Sequence, residues 1–306
     1  MEKKTSTINN QILIIDGYHL LHKGYYGSLK RSKLPRNREG ILINAVYTFV
    51  ANINDFINSN KYRTIIVTFD VGKGCWRKEL YPEYKAKRKD TPLDLIPQMQ
   101  LVREFLTFIN IPWYEKENFE GDDVMGTIAK LSNHLGYDVH ILSNDKDTFQ
   151  LINDKTSVIV KGNKNEDDEE ICEQTVIEKL GCLPIQIPDL KSLMGDASDN
   201  IKGVRGMHYS TAIELLKKYQ NIETVFQNIK NMDERNKERL LSNKEQILLN
   251  KKIATIQKNL KLGRIDFRPL KINYKRYAYF LKRERMWAFV SLIEKKIDDK
   301  LKIEEE

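Results

Sequence analysis

The sequence predicts an α/β fold, a central mostly parallel sheet flanked by helices, followed by a helical region. Three observations predict it. Short apolar runs without polar alternation read as strands buried on both faces. Stretches with apolar residues at helical spacing separate those runs, the pattern of strand–helix–strand units. Beyond about residue 180 the strand pattern fades and helical periodicity remains.

The predicted strands are 12–15, 65–69, a weaker run at 111–114, and 139–142. The predicted helices among them are 41–57, 95–109, which is entered through a proline, and 124–135. Residues 161–170 are polar and charged and read as an exposed loop. Helices then follow at 187–194, 210–219, 222–229 and 237–256, with Gly203 and Gly206 marking a tight turn. Residues 270–306 mix aromatic residues with many Lys and Arg and read as a helical tail on the body, with a frayed acidic end at 304–306. The predicted division is a polar tail at 1–10, an α/β domain at 11–185, a helical region at 186–268 and a basic, aromatic extension at 269–306. No internal repeat is visible.

One stretch breaks the pattern. Residues 72–94 interleave Lys73, Trp76, Arg77, Lys78, Tyr81, Tyr84, Lys85, Lys87, Arg88 and Lys89. Each charged head must stay solvated or paired, so the segment is expected to project from the sheet.

Composition narrows the class. Of 306 residues, 41% are hydrophobic and 31% charged, which suits a globular chain. No apolar run approaches a membrane span, and Met1 to Asn10 lack a signal peptide's apolar core, so a cytoplasmic location is expected. Cys75, Cys172 and Cys182 form no CxxC pair, which argues against a disulfide framework or a zinc site. The five histidines form no metal motif and read as packing or surface residues. The net charge of +8 suits a polyanionic partner.

The acidic residues are the strongest chemical signal. Asp16 and Asp70 end predicted strands, and the strand at 139–142 runs into Asp145 and Asp147. In an open parallel sheet, groups beyond the carboxyl ends of the strands share one crevice. Glu120, Asp122 and Asp123 open the helix at 124–135. Glu120 and Asp123, three apart, can share a face, while Asp122 points elsewhere in the turn. Asp196 and Asp199 are also three apart. Helix capping explains each of these pairs taken alone. Nine carboxylates near one crevice are another matter. Two unit charges about 4 Å apart repel by roughly 4 kcal/mol at an effective dielectric of 20. Divalent cations are the natural compensation, and oxygen-only ligands favour Mg²⁺ or Mn²⁺ over zinc. Such a set fits two hydrated ions acting on a phosphodiester. No Ser-His-Asp or Cys-His arrangement offers a side-chain nucleophile.

Taken in order, Ile15-Asp16-Gly17, Thr68-Phe69-Asp70, Tyr81-Pro82-Glu83-Tyr84-Lys85, Glu120-Gly121-Asp122-Asp123-Val124, Asp145-Lys146-Asp147 and Gly195-Asp196-Ala197-Ser198-Asp199-Asn200-Ile201 resemble the 5′-3′ exonuclease/flap endonuclease family. It looks most like the amino-terminal nuclease of bacterial DNA polymerase I and its free-standing relatives, and a stand-alone form is expected. It runs from about residue 12 to 256. The resemblance implies a PIN-like 5′ nuclease fold and a two-metal site. Asp16, Asp70, Glu120 and Asp122, with Asp123 beside them, match one cluster. Asp145, Asp147, Asp196 and Asp199 match the other. It makes the segment at about 72–97 a helical arch over a single-stranded 5′ end, with Arg77 and Lys85 as catalytic contacts to the scissile phosphate. Tyr84, Lys87 and Arg88 become DNA contacts, and Trp76 and Tyr81 can stack on bases. Gly203, Arg205 and Gly206 match a helix–hairpin turn that grips duplex DNA. Many relatives also hold K⁺ there. A third glycine is usual at that turn, and His208 in its place favours the duplex contact over the ion.

The implied activity is cleavage of 5′ flaps and 5′ ends, with a role in Okazaki-primer removal and repair. The expected partner is DNA with a 5′ flap, nick or 5′ end. No small-molecule cofactor and no membrane are expected, and the chain is expected to be a monomer. A non-cutting junction-binding protein and a ribonuclease of a related acidic-sheet fold are the alternatives.

Overall fold

A computed structural model describes residues 10–305 apart from 31, 73 and 163–165. The polar tail before residue 10, Lys73, the middle of the 161–170 loop and Glu306 therefore lie outside the described residues.

The first half alternates strand and helix. In chain order come β1 (Gln11–Asp16), α1 (Gly17–Ser28), α2 (Asn44–Ser59), β2 (Thr64–Thr68), α3 (Trp76–Leu80), α4 (Ile96–Ile109), β3 (Trp113–Tyr114), α5 (Gly121–His134) and β4 (Asp138–Leu142). Then follow β5 (Thr156–Val160), β6 (Glu169–Ile171), α6 (Glu173–Leu180), α7 (Ile187–Met194), β7 (Gly195–Asp196) and β8 (Ile201–Lys202). The remainder is helical: α8 (Tyr209–Tyr219), α9 (Ile222–Gln227), α10 (Glu234–Ser242), α11 (Lys244–Ala254), α12 (Tyr274–Arg283) and α13 (Trp287–Glu305).

The main sheet runs β3-β2-β1-β4-β5-β6 and is parallel except for β6, which pairs antiparallel with β5. The mostly parallel sheet expected from the sequence is present. Its strands are buried on both faces, so neighbouring side chains on β1 serve different cores. Leu13 and Ile15 pack with α1, α2, α4, α12 and α13, while Ile12 and Ile14 pack with α5 and the helices after β6. Among the described residues, no helix is long and apolar enough to cross a membrane.

Several details differ from the sequence reading. Helix α1 was not expected, and neither were β5 and β6, which extend the sheet past β4. The single helix expected at 237–256 is two helices, broken at Asn243. The segment 72–94 does not project as expected. Cys75, Arg77 and Tyr84 are buried, the first and last against Ile201, Ile253 and Ala254. Arg77, Lys85 and Arg88 are paired with carboxylates, the condition under which ions enter a protein interior, while Lys87 and Lys89 stay exposed. The segment is a short α3 and a run of turns folded onto the body.

The turn marked by Gly203 and Gly206 has a local cause for each glycine. A Cβ on Gly203 would meet the Met194 carbonyl oxygen at 2.2 Å, where β7 and β8 pair closely. Gly206 has φ +76°, in the left-handed region that glycine adopts freely.

Candidate functional site

Strands β2, β1 and β4 lie side by side at the centre of the sheet, and their carboxyl ends deliver acids to one place. Asp16 is the last residue of β1 and caps α1, accepting from the His19 backbone N–H at 2.8 Å and from Ser143 Oγ at 3.2 Å. Asp70 lies two residues beyond β2 and accepts from the Gly121 N–H at 2.6 Å, which fixes it against the start of α5. Asp145 follows β4 and accepts from the Asp147 N–H at 2.9 Å. With Asp122 of α5 they line a cavity of about 280 Å³ that also takes in Tyr18, His19, His22, Lys85, Arg88 and Glu120.

Burial and mutual repulsion outweigh the pull of Lys85 and Arg88 on the carboxylates of that cavity. Burial, then the charges of Asp70 and Asp145, push Asp16 up to about 7. Burial also raises Asp70, and burial with the Asp16 and Asp145 charges raises Asp122 well above the usual carboxylate range. Among the described residues, no Lys or Arg nitrogen lies within 4.0 Å of a carboxylate oxygen of Asp16, Asp70, Asp122 or Asp145, although Arg103 reaches the Asp70 backbone carbonyl at 3.4 Å.

A second acidic group stands beside the first. Asp147, Asp196 and Asp199 each offer an oxygen within 4.8 Å of the others. Here the charges are paired. Lys191 of α7 bonds Asp147 and reaches Asp196 at 2.5 Å, and Arg88 bonds Asp199 at 2.8 Å. Burial raises Asp147 to about 6 against the pull of Lys191. Asp196 resists burial and is held down to about 2 by Lys191 and Ser198.

The two acids at the start of α5 exchange the roles that spacing suggested. Asp122 faces the cavity, whereas Asp123 is fully buried and turned away from it. Both Asp123 oxygens are taken by Arg77, at 2.7 Å each, with further donors from Trp76 Nε1 and the Gln257 N–H. It is not placed as a metal ligand. Arg77 is likewise not placed to touch a phosphate. It is 3% exposed, and its guanidinium also reaches Glu120 at 3.0 Å and donates to the carbonyls of Ile253 and Thr255.

Glu120 lines the cavity, but both its oxygens are held, by Lys85 on one side and by Tyr84 and Arg77 on the other. Those cations overcome burial and lower its proton affinity. Tyr84 is 2% exposed and so is not presented for stacking. Lys85 borders the cavity, and its backbone N–H donates to the Asp199 carbonyl at 2.9 Å. Lys87, Gly203, Arg205 and Gly206 are exposed, with the glycine turn at the end of β8. His208 precedes α8 with φ −92°, an ordinary backbone angle.

Sequence reasoning missed Tyr18, His19, His22, Ser143 and Lys191. The histidines were read as packing or surface residues, yet two of them line the cavity. Their signal was position: α1 starts immediately after Asp16, so its first turns border whatever Asp16 faces.

Comparison with known proteins matches residues 11–181 to the family described as 5′-3′ exonuclease, N-terminal resolvase-like domain. Residues 182–277 match the 5′-3′ exonuclease, C-terminal SAM fold. The chain is 38% identical over 217 residues to DNA polymerase I of Bacillus subtilis and 37% identical over 218 residues to that of Geobacillus stearothermophilus. Each match takes in 71% of this chain and 24% of the polymerase, so the chain spans about a quarter of those relatives. Among solved structures, bacteriophage T5 D15 protein co-crystallised with metal ions aligns with TM-score 0.67 and 23% identity, over 80% of this chain and 89% of that one. The T5 D15 flap endonuclease in a complex with DNA and metal ions aligns with TM-score 0.65 and 22% identity, over 97% of this chain and 100% of that one.

Proposed function

This chain belongs to the 5′-3′ exonuclease family, and from that premise we propose that it is a metal-dependent, structure-specific nuclease hydrolysing DNA phosphodiesters at 5′ ends and flaps. The observation that carries the reading is the crevice at the ends of β1, β2 and β4. Four carboxylates meet there with, among the described residues, no Lys or Arg nitrogen bonded to any of them, and burial with the charges of Asp70 and Asp145 pushes Asp16 up to about 7.

That donor set fits hard divalent ions: oxygen ligands, several charges and no sulfur or imidazole bonded among them. Asp16, Asp70, Asp122 and Asp145 would hold one ion, and Asp147, Asp196 and Asp199 a second, with Mg²⁺ or Mn²⁺ the expected species. Bound there, such ions supply Lewis-acid stabilisation of phosphoryl charge and make water a competent nucleophile at neutral pH. The chain's own groups orient the substrate. Lys85 and Arg88 border the same cavity, and each would exchange its carboxylate partner for a phosphate oxygen. Arg77 has the other role of pinning α3 to α5 and to the end of α11. The exposed turn at Gly203, Arg205 and Gly206 would contact duplex DNA. Relatives in bacterial DNA polymerase I make primer removal and repair the proposed setting, with the chain acting as a cytoplasmic monomer.

The test is cleavage-site mapping on a labelled 5′-flap duplex across a Mg²⁺ and Mn²⁺ titration, with EDTA added to a parallel reaction. Cuts near the flap junction that stop with EDTA support the proposal. Binding without cutting at every metal concentration refutes it in favour of a junction-binding protein.

A further inference from the structure

The two acidic groups differ in one respect that the family relationship does not supply. The carboxylate oxygens at the ends of β1, β2 and β4 have no Lys or Arg nitrogen within 4.0 Å among the described residues. The group formed by Asp147, Asp196 and Asp199 contains an ammonium. Lys191 is the fifth residue of α7, one turn before the helix ends at Met194 and β7 begins. Its side chain is 16% exposed and bonds oxygens on both Asp147 and Asp196. The other Asp196 oxygen accepts from the Ser198 backbone N–H at 2.8 Å and from its hydroxyl at 2.6 Å, so the carboxylate is oriented toward Lys191 by its own loop. Arg88 pairs with Asp199 at 2.8 Å.

We propose that Lys191 is a built-in counter-ion for the second acidic group, occupying the position of a divalent cation and yielding it only when that cation binds. The inference rests on the two-ion reading given above. Its consequence is an order of loading. An ion entering among Asp16, Asp70, Asp122 and Asp145 displaces no cation of the protein. An ion entering between Asp147 and Asp196 must compete with an ammonium already bonded to both. The first site is then the tighter one, and the second fills at higher metal concentration. A lysine suits this role because its ammonium is a compact charge on a flexible stem and can withdraw without moving the helix that carries it. Lys191 is thus a positioning residue that sets the metal dependence of the site.

The test is a Mn²⁺ titration of the metal-free protein and of Lys191→Met, without DNA, reading bound and free ion by electron paramagnetic resonance. Wild type is expected to bind one ion tightly and a second more weakly. In Lys191→Met the second step should tighten on the order of tenfold or more, while the first stays unchanged. Asp199→Asn assigns the weak step by weakening it selectively. Thermal unfolding gives an independent readout. Metal-free Lys191→Met should unfold at a lower temperature than wild type, and Mn²⁺ should close that gap, whereas after loss of a packing contact alone Mn²⁺ would raise both proteins and leave the gap unchanged. A Lys191→Gln variant repeats both arms with a polar side chain. Two ions binding with the same affinities in wild type and both variants would overturn the counter-ion role and leave the two-ion reading standing. A single ion in every protein would overturn both.

Discussion

Arg77→Met separates two roles for one residue. In the folded protein Arg77 is 3% exposed and forks onto Asp123, which is fully buried. Removing the guanidinium leaves a carboxylate in the interior with no cation on it, and frees the carbonyls of Ile253 and Thr255 from their donors. Breaking a buried ion pair by deleting one partner costs about 3–5 kcal/mol. Trp76 Nε1 and the Gln257 N–H still donate to Asp123 and bring the expected loss toward the lower end, while the two orphaned carbonyls bring it back. The expected loss is therefore about 4 kcal/mol, read as a shift in the urea unfolding midpoint at pH 7.5 with unchanged slope. Replacing both partners, Arg77→Met with Asp123→Leu, should recover most of it, because an apolar pair of similar volume has no charge to desolvate. A loss below about 1 kcal/mol, together with full binding and collapsed turnover, would refute this reasoning and return Arg77 to the phosphate.

Other perturbations address the crevice and its supports. Lys85→Ala should slow single-turnover cleavage more than it weakens DNA binding, because the ammonium borders the cavity where phosphoryl charge develops; a pure affinity loss overcome by excess enzyme would make it a positioning contact. Asp16 has a folded value of about 7 against an unfolded value of 3.8, so the metal-free folded state holds a proton that the unfolded state has released. Stability of the metal-free protein should therefore fall as pH rises from about 4 to 7, by an amount on the order of 2–4 kcal/mol. Asp16→Asn should flatten that fall and raise the melting temperature at pH 8, and an unchanged pH profile would contradict the assignment. Gly203→Ala places a Cβ 2.2 Å from the Met194 carbonyl oxygen and should cost roughly 1–3 kcal/mol, measured by the same urea titration.

What was legible in the sequence was local. Strands β1, β2 and β4 are short apolar runs, and each leads into its aspartate within three residues, so their gathering followed once the strands were taken as parallel. Strand β5 begins with Thr156 and Ser157 and has only three apolar residues after them, too short a run to stand out beside a polar loop. Helix α1 carries Gly17, Gly24 and Gly27, which weaken its helical signature, although Leu20, Leu21 and Tyr25 give it a buried face. The rotation of α5 was not legible. Spacing shows which residues share a face, not which face turns inward, and that is set by the buried Val124, Met125 and Ile128 and by Arg77 arriving from another segment. The same holds for residues 72–94. Their charges implied exposure until the partners were known, and Glu120, Asp123 and Asp199 lie far along the chain. Lys191 sits in an ordinary amphipathic helix, and nothing in its neighbours announces that it faces two carboxylates.

Asp145 lies at the end of a central strand and lines the cavity. Single-turnover cleavage of a 5′-flap duplex by Asp145→Asn in Mg²⁺, with DNA binding measured on the same preparation, tests the central claim most directly. The account predicts a loss of turnover on the order of 10³-fold or more with DNA affinity retained. Turnover equal to wild type would contradict it.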